Sequence, residues 1–407
     1  MTCRYPFRIK TWLRHLHRVH RLSPLTMSRL GWLPMVALTL LLVACAGKAR
    51  QPADVPDEPV SSMSLSYATG FTVDYYDGYK RLTVHSPWTP GAVLARYYLT
   101  TNPKQALPSD GLHIITPIKR LVTASCTHYA FLEMLDELDK VVGLCEPKRI
   151  YNPTLRQAYQ AGRIEDLGDP FRLNVERCFM LKPDLVMVSG FNQFDERINR
   201  LLDAGTSVAY NNEWMEPGLL ARAEWLKYIA CFFNKEALAD SLFNEVANRY
   251  LALIKLGEQA VGKKPLILSG DNFRGTWYQP GGQSFTAKLF KDAGGRYLYE
   301  ADTTRGSLPL SFEQVYKDLG QADVWVGATS GNSLSELKAQ DQRYTLFKPF
   351  REGQVYAYTN RVTEAGGNDY WEGAVAKPDE LLADFIHLLH PACLPDHTFT
   401  FLKQLPR

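Results

Sequence analysis

The chain has 407 residues, of which 45% are hydrophobic and 22% charged, with 46 Lys and Arg against 43 Asp and Glu. That length exceeds what a single hydrophobic core supports, so two lobes are expected. No basic stripe offers a surface to nucleic acid, which is excluded as a partner.

Residues 1–44 carry seven Lys or Arg and no acidic residue, and an apolar run from Leu30 to Ala44 ends at Leu42-Val43-Ala44-Cys45. A basic start, a short apolar stretch and small residues before a cut site describe a secretory signal. At about 15 residues, with Pro34 inside it, the run is short for a membrane span. Leu-Val-Ala-Cys resembles the bacterial lipoprotein box. The resemblance implies that Cys45 is diacylated, begins the mature chain and anchors it to the membrane by lipid on the extracytoplasmic side. An ordinary signal with an incidental Cys45 is the alternative. Met27 to Ala44 already makes a complete signal, so Met27 is a second candidate start. Beyond the leader the balance turns acidic, 39 basic against 43 acidic residues. Five cysteines remain there, Cys126, Cys145, Cys178, Cys231 and Cys393, and their odd number and irregular spacing do not make a disulfide framework. Residues 46–62 are rich in Ala, Pro, Asp and Ser without periodicity and read as a flexible tether.

Two strand-like runs follow, Gly70–Tyr76 and Lys80–His85, joined by Asp77-Gly78-Tyr79 in a hairpin. From Arg120 onward strands and helices alternate. Strands are expected at Leu121–Ala124, Val141–Leu144, Leu185–Val188 and Ser207–Tyr210, with helices at Tyr129–Leu138, Val175–Leu181 and Asp195–Asp203. The pattern returns with strands at Leu266–Leu268 and Val324–Val326 and helices at Ser284–Lys291, Phe312–Leu319 and Pro378–Leu389. Such alternation indicates βαβ units on parallel sheets. Between the two sets, Glu216 to Gly257 reads as helical. From Lys235 to Glu258 it would run roughly 36 Å at 1.5 Å per residue, long enough to link two lobes rigidly. The expected layout is therefore a signal at 1–44, a tether at 45–65, an N-terminal α/β lobe with an extra hairpin at 66–233, a linking helix at 234–260 and a C-terminal α/β lobe at 261–407.

A near-repeat relates the lobes. Asn174-Val175-Glu176 opens a helix that leads to Pro183-Asp184 and a buried strand; Ser311-Phe312-Glu313 opens one that leads to Ala322-Asp323 and another. Each has an N-cap residue before a Glu in the first helical turn, where the helix dipole favours it. Simple stabilisation of two helix starts is the bland reading.

With these segments in register, the stretch from Arg120 to Pro391 resembles the helical-backbone solute-binding proteins for iron-siderophores, haem and vitamin B12. Gly275-Thr276-Trp277-Tyr278-Gln279-Pro280-Gly281-Gly282, Asp292-Ala293-Gly294-Gly295 and Asn368-Asp369-Tyr370-Trp371 look like the family's second lobe. The resemblance implies a class III periplasmic binding protein fold: two Rossmann-like lobes joined by one long rigid helix. It also implies a monomer without enzymatic activity or a cofactor, whose partners are an ABC permease with its ATPase and a small-molecule ligand, a ferric siderophore, corrinoid or haem. Glu176 and Glu313 match the family's glutamates that pair with permease arginines.

In such lobes ligands bind beyond the carboxyl ends of the strands. The loops there nominate Tyr151, Phe171, Asn192, Trp277, Tyr278 and Trp371 as walls and hydrogen-bonding contacts. Arg172, Arg274 and Arg305 are the candidate cations for carboxylate or phenolate oxygens. Hydrophobic packing or solvated loop charge is the competing account of each. Cys126-Thr127-His128 is a weak metal or axial-haem pattern without a second ligand cluster, so no metal site is expected. The chain lacks G-x-S-x-G, H-E-x-x-H and G-x-x-x-x-G-K-[ST], and it has no G-x-G-x-x-G after a strand. A lipoprotein hydrolase or a surface adhesin is the alternative of a different class.

Overall fold

A computed structural model of the protein describes residues 58–193, 195–260, 262–328 and 331–407. The expected signal, Cys45 and the first part of the expected tether, to residue 57, lie outside the described residues.

The expected hairpin belongs to a larger sheet. Strands β1 (Ser61–Ser62), β2 (Phe71–Tyr76), β3 (Tyr79–His85), β4 (Val93–Thr100) and β5 (Leu112–Ile115) pair in that order. The first four run antiparallel, and β5 joins β4 in parallel. Asp77 and Gly78 make the tight turn, with Gly78 at φ 81°, a backbone that glycine takes at no steric cost. Phe71 and Val73 alternate inward as period two demands. Phe71 packs edge-on against Trp225 and Tyr228.

The N-terminal lobe is built on β6 (Leu121–Thr123), β7 (Val141–Leu144), β8 (Glu165–Asp166), β9 (Leu185–Val188) and β10 (Val208–Tyr210), all parallel in the order β10-β9-β6-β7-β8. Helices α1 (Tyr129–Met134), α2 (Pro153–Gln160), α3 (Val175–Leu181) and α4 (Glu196–Asp203) are the crossovers. Both faces of this sheet are covered, so the strands read as continuous apolar runs. The N-terminal sheet closes one side of the lobe: the buried Tyr97 hydroxyl accepts the Tyr210 N–H of edge strand β10 at 2.9 Å.

The stretch read as helical from Glu216 to Gly257 holds three helices: α5 (Leu219–Ala223), α6 (Trp225–Ala230) and α7 (Glu236–Glu258). The break before α7 has a tertiary cause. Asn234 turns left-handed at φ 57°, a conformation Asn tolerates. Lys80 of β3 reaches in to take the Cys231 carbonyl at 2.9 Å and the Asn234 side-chain oxygen at 2.8 Å. Helix α7 is about 34 Å long at 1.5 Å per residue. It buries Ala239, Phe243, Val246, Ala247 and Tyr250. Phe243 meets Tyr67 beside the N-terminal sheet, whereas the Tyr250 hydroxyl donates to Asp292 on the far lobe at 2.7 Å.

That C-terminal lobe has strands β11 (Ile267–Ser269), β12 (Asn272–Phe273), β13 (Thr276–Pro280), β14 (Ser307–Leu310), β15 (Val324–Val326), β16 (Val355–Ala357) and β17 (Lys403–Gln404). β11-β15-β16 are parallel and β17 is antiparallel to β16; β12-β13-β14 form a separate antiparallel sheet. Helices α8 (Phe285–Asp292), α9 (Phe312–Leu319), α10 (Leu334–Gln340), α11 (Lys348–Glu352), α12 (Asp369–Glu372) and α13 (Pro378–Leu389) complete it. The chain thus folds as two Rossmann-like lobes joined by one long helix.

The aspartates of the near-repeat do equivalent structural work. Asp184 accepts the Lys119 and Arg120 N–H groups at 2.7 and 2.9 Å, and Asp323 accepts the Leu266 N–H at 2.9 Å. Each ties the amino end of one strand to the start of its neighbour.

Trp277, expected as a ligand wall, is a core residue instead. It is 0% exposed, with Phe312, Trp325, Tyr344 and Phe347 around its ring at 5.3–6.0 Å. Its indole N–H donates to the Ser269 carbonyl at 2.8 Å. Alternation along β13 turns Trp277 and Gln279 inward and Tyr278 outward. Trp277→Ala should therefore lower unfolding free energy by about 3–5 kcal/mol, the usual cost of such a cavity. Denaturant titration checks this; an unchanged midpoint would return Trp277 to the surface.

Candidate functional site

A cleft of about 440 Å³ opens beyond the carboxyl ends of the N-terminal lobe's strands. Ser125 and Cys126 follow β6, Cys145 and Glu146 follow β7, Phe171 lies in the turn after β8, and Ser189 and Phe191 follow β9. Asn368, Trp371 and Glu372 of the C-terminal lobe form the opposite wall. Phe171 and Trp371 are 60% and 54% exposed, which is unusual for such large apolar side chains. Phe171 touches Phe191 at 5.5 Å and Phe191 touches Trp214 at 5.6 Å, a continuous aromatic row. Exposed apolar surface gathered in a concave site marks a binding surface.

Of the sequence-nominated residues, Phe171 and Trp371 line this cleft. Tyr151 lines two neighbouring cavities instead, and its N–H donates to Glu372. Arg172 and Asn192 are exposed next to Phe171 and Phe191 without lining the cleft. Arg274 and Tyr278 are exposed on the β12–β13 hairpin; the Arg274 guanidinium lies 5.0 Å over its neighbour Phe273. Arg305 lines a different cavity.

The cleft's cations are Arg149 and Arg197, which sequence reasoning missed. Arg149 pairs with Glu146 at 3.4 Å, and Arg197 engages Asp195 through two nitrogens at 2.9 and 2.7 Å. Asp195 also caps α4, and its contact with Arg197 holds its carboxyl below the usual range against the opposing effect of burial. A cap residue followed by Glu and Arg carries no sign of a cleft.

Glu372 was missed as well. It accepts the N–H groups of Tyr151 at 2.5 Å and Asn152 at 2.8 Å, from the opposite lobe. Burial pushes its carboxyl up to about 7, against the lowering effect of those two donors.

Cys126-Thr127-His128 is divided between the cleft, which Cys126 lines, and the core, which takes His128. The His128 ring is fully buried, its Nδ1 is 2.6 Å from the Thr123 hydroxyl, and burial lowers its pKa to about 3. Burial pushes the Cys126 thiol up to about 12. Among the described residues no group of three or more His, Cys, Asp or Glu is arranged to hold a metal ion.

The repeated glutamates sit alike. Glu176 is 69% exposed on the first turn of α3, capped by Asn174, with Arg200 at 2.6 Å. Glu313 is 76% exposed on the first turn of α9, capped by Ser311, with Arg343 at 3.4 Å. Neither lines the cleft.

The sign of the Glu372 shift sets a pH dependence. Between its ordinary value of 4.5 and about 7 the folded chain holds a proton that the unfolded chain has lost, so this residue's contribution to stability falls as pH rises through that window. Glu372→Gln should remove that component. The melting temperature of the wild type relative to the variant should decline from pH 5 to pH 7.5, and parallel profiles would refute the shift.

Comparison with known proteins agrees with the geometry. Residues 125–362 match the family described as periplasmic binding protein. An uncharacterized lipoprotein of Methanocaldococcus jannaschii is 25% identical over 363 residues, covering 83% of this chain and 85% of its own length. Among solved structures, a periplasmic heme binding protein from Pseudomonas aeruginosa superposes with a TM-score of 0.55 at 17% identity, over 71% of this chain and 99% of that one. A periplasmic vitamin B12 binding protein of Vibrio cholerae gives 0.51 at 15% identity, over 68% and 98%. The family match spans more than half of the chain, and its fold has the same two-lobed form: the protein belongs to the periplasmic binding protein family.

Proposed function

We propose that this protein is the extracytoplasmic substrate-binding component of an ABC importer, which captures a ferric siderophore or related metal chelate and delivers it to a permease and its ATPase. The observation that carries the reading is the interlobe cleft, where Phe171, Phe191 and Trp371 stand exposed on facing lobes. Flat aromatic walls suit a large ligand with planar parts, and Arg149 and Arg197 can share their charge with ligand oxygens. Cobalamin or haem is the second reading, favoured by the names of the structural relatives that bind them. Binding rather than catalysis is the activity of those relatives and of the family by name.

The lipoprotein relative supports anchoring through Cys45, and no helix among the described residues is long and apolar enough to cross a membrane. We propose a monomer held to the membrane by lipid on the extracytoplasmic side. Native mass spectrometry of the protein from its host tests the ligand class. A co-purified ferric chelate supports the first reading and a corrinoid or tetrapyrrole the second; a chain that binds none of these in equilibrium titrations overturns both. With the ligand in hand, Trp371→Ala should weaken binding by about 1–3 kcal/mol, the worth of burying a large apolar side chain, with the fold intact.

Glu176 and Glu313 are proposed to meet permease arginines. Glu176→Gln and Glu313→Gln keep shape and remove charge, so ligand affinity in solution should hold while uptake falls, most in the double variant. The gap between wild type and variant should narrow at high salt, because exposed charges act over only about 10 Å at 0.1 M and less above it. Normal uptake by the double variant at physiological salt would defeat the docking role.

A further inference from the structure

A second cavity of about 400 Å³ lies where the N-terminal sheet meets both lobes. The end of β3 contributes His85 and the loop after it Trp88, the N-terminal lobe contributes Asn212 and Met215, and the C-terminal lobe contributes Arg305. We propose that this cavity is a binding site for a planar, carboxylate-bearing group, with Trp88 as the stacking wall and Arg305 as the anion contact. The proposal goes beyond the importer reading and does not depend on it.

Both side chains are presented by stiff backbone. Trp88 tips the segment Ser86-Pro87-Trp88-Thr89-Pro90-Gly91, where two prolines fix φ. The segment closes on itself through Ser86 N–H to the Ala92 carbonyl at 2.9 Å, Ala92 N–H to the Thr89 carbonyl at 3.1 Å, and Thr89 N–H to the Ser86 hydroxyl at 3.1 Å. Arg305 sits in a turn tied down by Gly281 N–H to the Gly306 carbonyl at 2.8 Å and Gln283 N–H to the Thr304 carbonyl at 3.1 Å. The approach is so close that a Cβ at Gly281 would lie 2.2 Å from the Thr304 oxygen. A ligand would meet both side chains on backbone that is already fixed, which removes part of the entropic cost of binding.

The charge pattern points to an acid. Arg149, Arg197, Arg200 and Arg343 each hold a carboxylate. Exposed Arg305, by contrast, has no carboxylate at ion-pair distance among the described residues. An unpaired guanidinium facing a cavity with an aromatic wall is a ready contact for a carboxylate, through paired N–H donors. Glu216 also borders the cavity, but the Thr69 and Gly70 N–H groups, the Thr69 hydroxyl and the Trp225 indole already occupy its oxygens. It offers no free acceptor, so the ligand's acid belongs at Arg305 and its uncharged body against Trp88. The volume falls within the range of small-molecule sites.

The test uses the full-length chain and 2-naphthoate as the probe, with 2-naphthol as the control that lacks the acid. Calorimetry and tryptophan fluorescence should report saturable binding of 2-naphthoate and a much weaker response to 2-naphthol. Arg305→Gln and Trp88→Ala should each raise Kd at least tenfold, whereas Trp371→Ala in the main cleft should leave it unchanged. Trp88 and Arg305 both lie outside the buried core, so an unchanged melting temperature will show that the variants are folded. Equal binding by wild type and both variants overturns the proposal, as does a wild type that shows no saturable binding. Loss with Trp371→Ala alone also overturns it, by moving the probe to the interlobe cleft and leaving the importer reading untouched.

Discussion

Buried carboxylates that accept backbone N–H groups from distant parts of the chain hold this molecule together. Glu224 takes the amides of Ser66, Tyr67 and Ala68, and Glu216 takes those of Thr69 and Gly70. Together they fasten the segment between β1 and β2 to the stretch that carries helices α5 and α6. Asp384 on α13 takes the amides of Thr400, Phe401 and Leu402 and meets His397 at 2.7 Å, and so positions the tail that adds β17 to the second sheet. Burying a charge costs several kcal/mol unless its lone pairs are filled, so each site demands a nearly complete set of donors. Irregular backbone supplies them, because amides outside helices and sheets also need partners when buried.

Glu372 follows the same rule less completely, and the difference falls where the lobes meet. Two amides fill part of its shell, and burial dominates its protonation. Beside it Gly367 approaches the Ile150 backbone so closely that a Cβ would lie 2.5 Å from the carbonyl. Helix α7 joins the lobes along one side and this contact joins them across the cleft. Two such constraints oppose a wide hinge and favour small adjustments around a cleft that is already formed. A preformed cleft with exposed aromatic walls gains affinity from apolar burial without first having to order its loops.

The sequence was legible where physics is local. Parallel strands buried on both faces announce themselves as apolar runs, and N-caps such as Asn174 and Ser311 mark helix starts within a residue. The lobes, the long helix and the paired glutamates all rest on signals of that kind. Distant contacts were not legible. The anchor on the turn before α7 comes from Lys80, about 150 positions away, which reaches the Cys231 carbonyl. Strands β4 and β5 lie in a stretch to which the sequence reading gave no strands, so the sheet was underestimated as a hairpin. The interlobe cleft was foreseen as a place, through Phe171 and Trp371, but its cations were not. Arg149 enters it from the turn after β7 and Arg197 from the first turn of α4, positions that only the folded chain brings together. Trp277 was misplaced although a local rule applied: neighbours in a strand face opposite ways, so Trp277 and Tyr278 cannot both line one surface.

The proposed docking glutamates combine both kinds of information, and their surroundings differ in a way their sequence contexts do not reveal. Glu176 is held by Arg200 at 2.6 Å, and this contact lowers its pKa. Arg343, by contrast, is already engaged by Asp341 at 2.8 Å and stacked over Phe312 at 4.0 Å, so Glu313 is left with a longer contact of 3.4 Å. Exposed ion pairs contribute little, because solvent screens them and holding two long side chains costs entropy. Either glutamate can therefore exchange its own-lobe arginine for one on a partner at small cost, but Glu313 has less to give up. The two patches share a helix-start glutamate with an exposed apolar neighbour, Met180 beside one and Tyr316 beside the other. A partner with two matching arginine-bearing surfaces would then engage the C-terminal lobe's charge more readily and displace Arg200 as it closes on the N-terminal lobe.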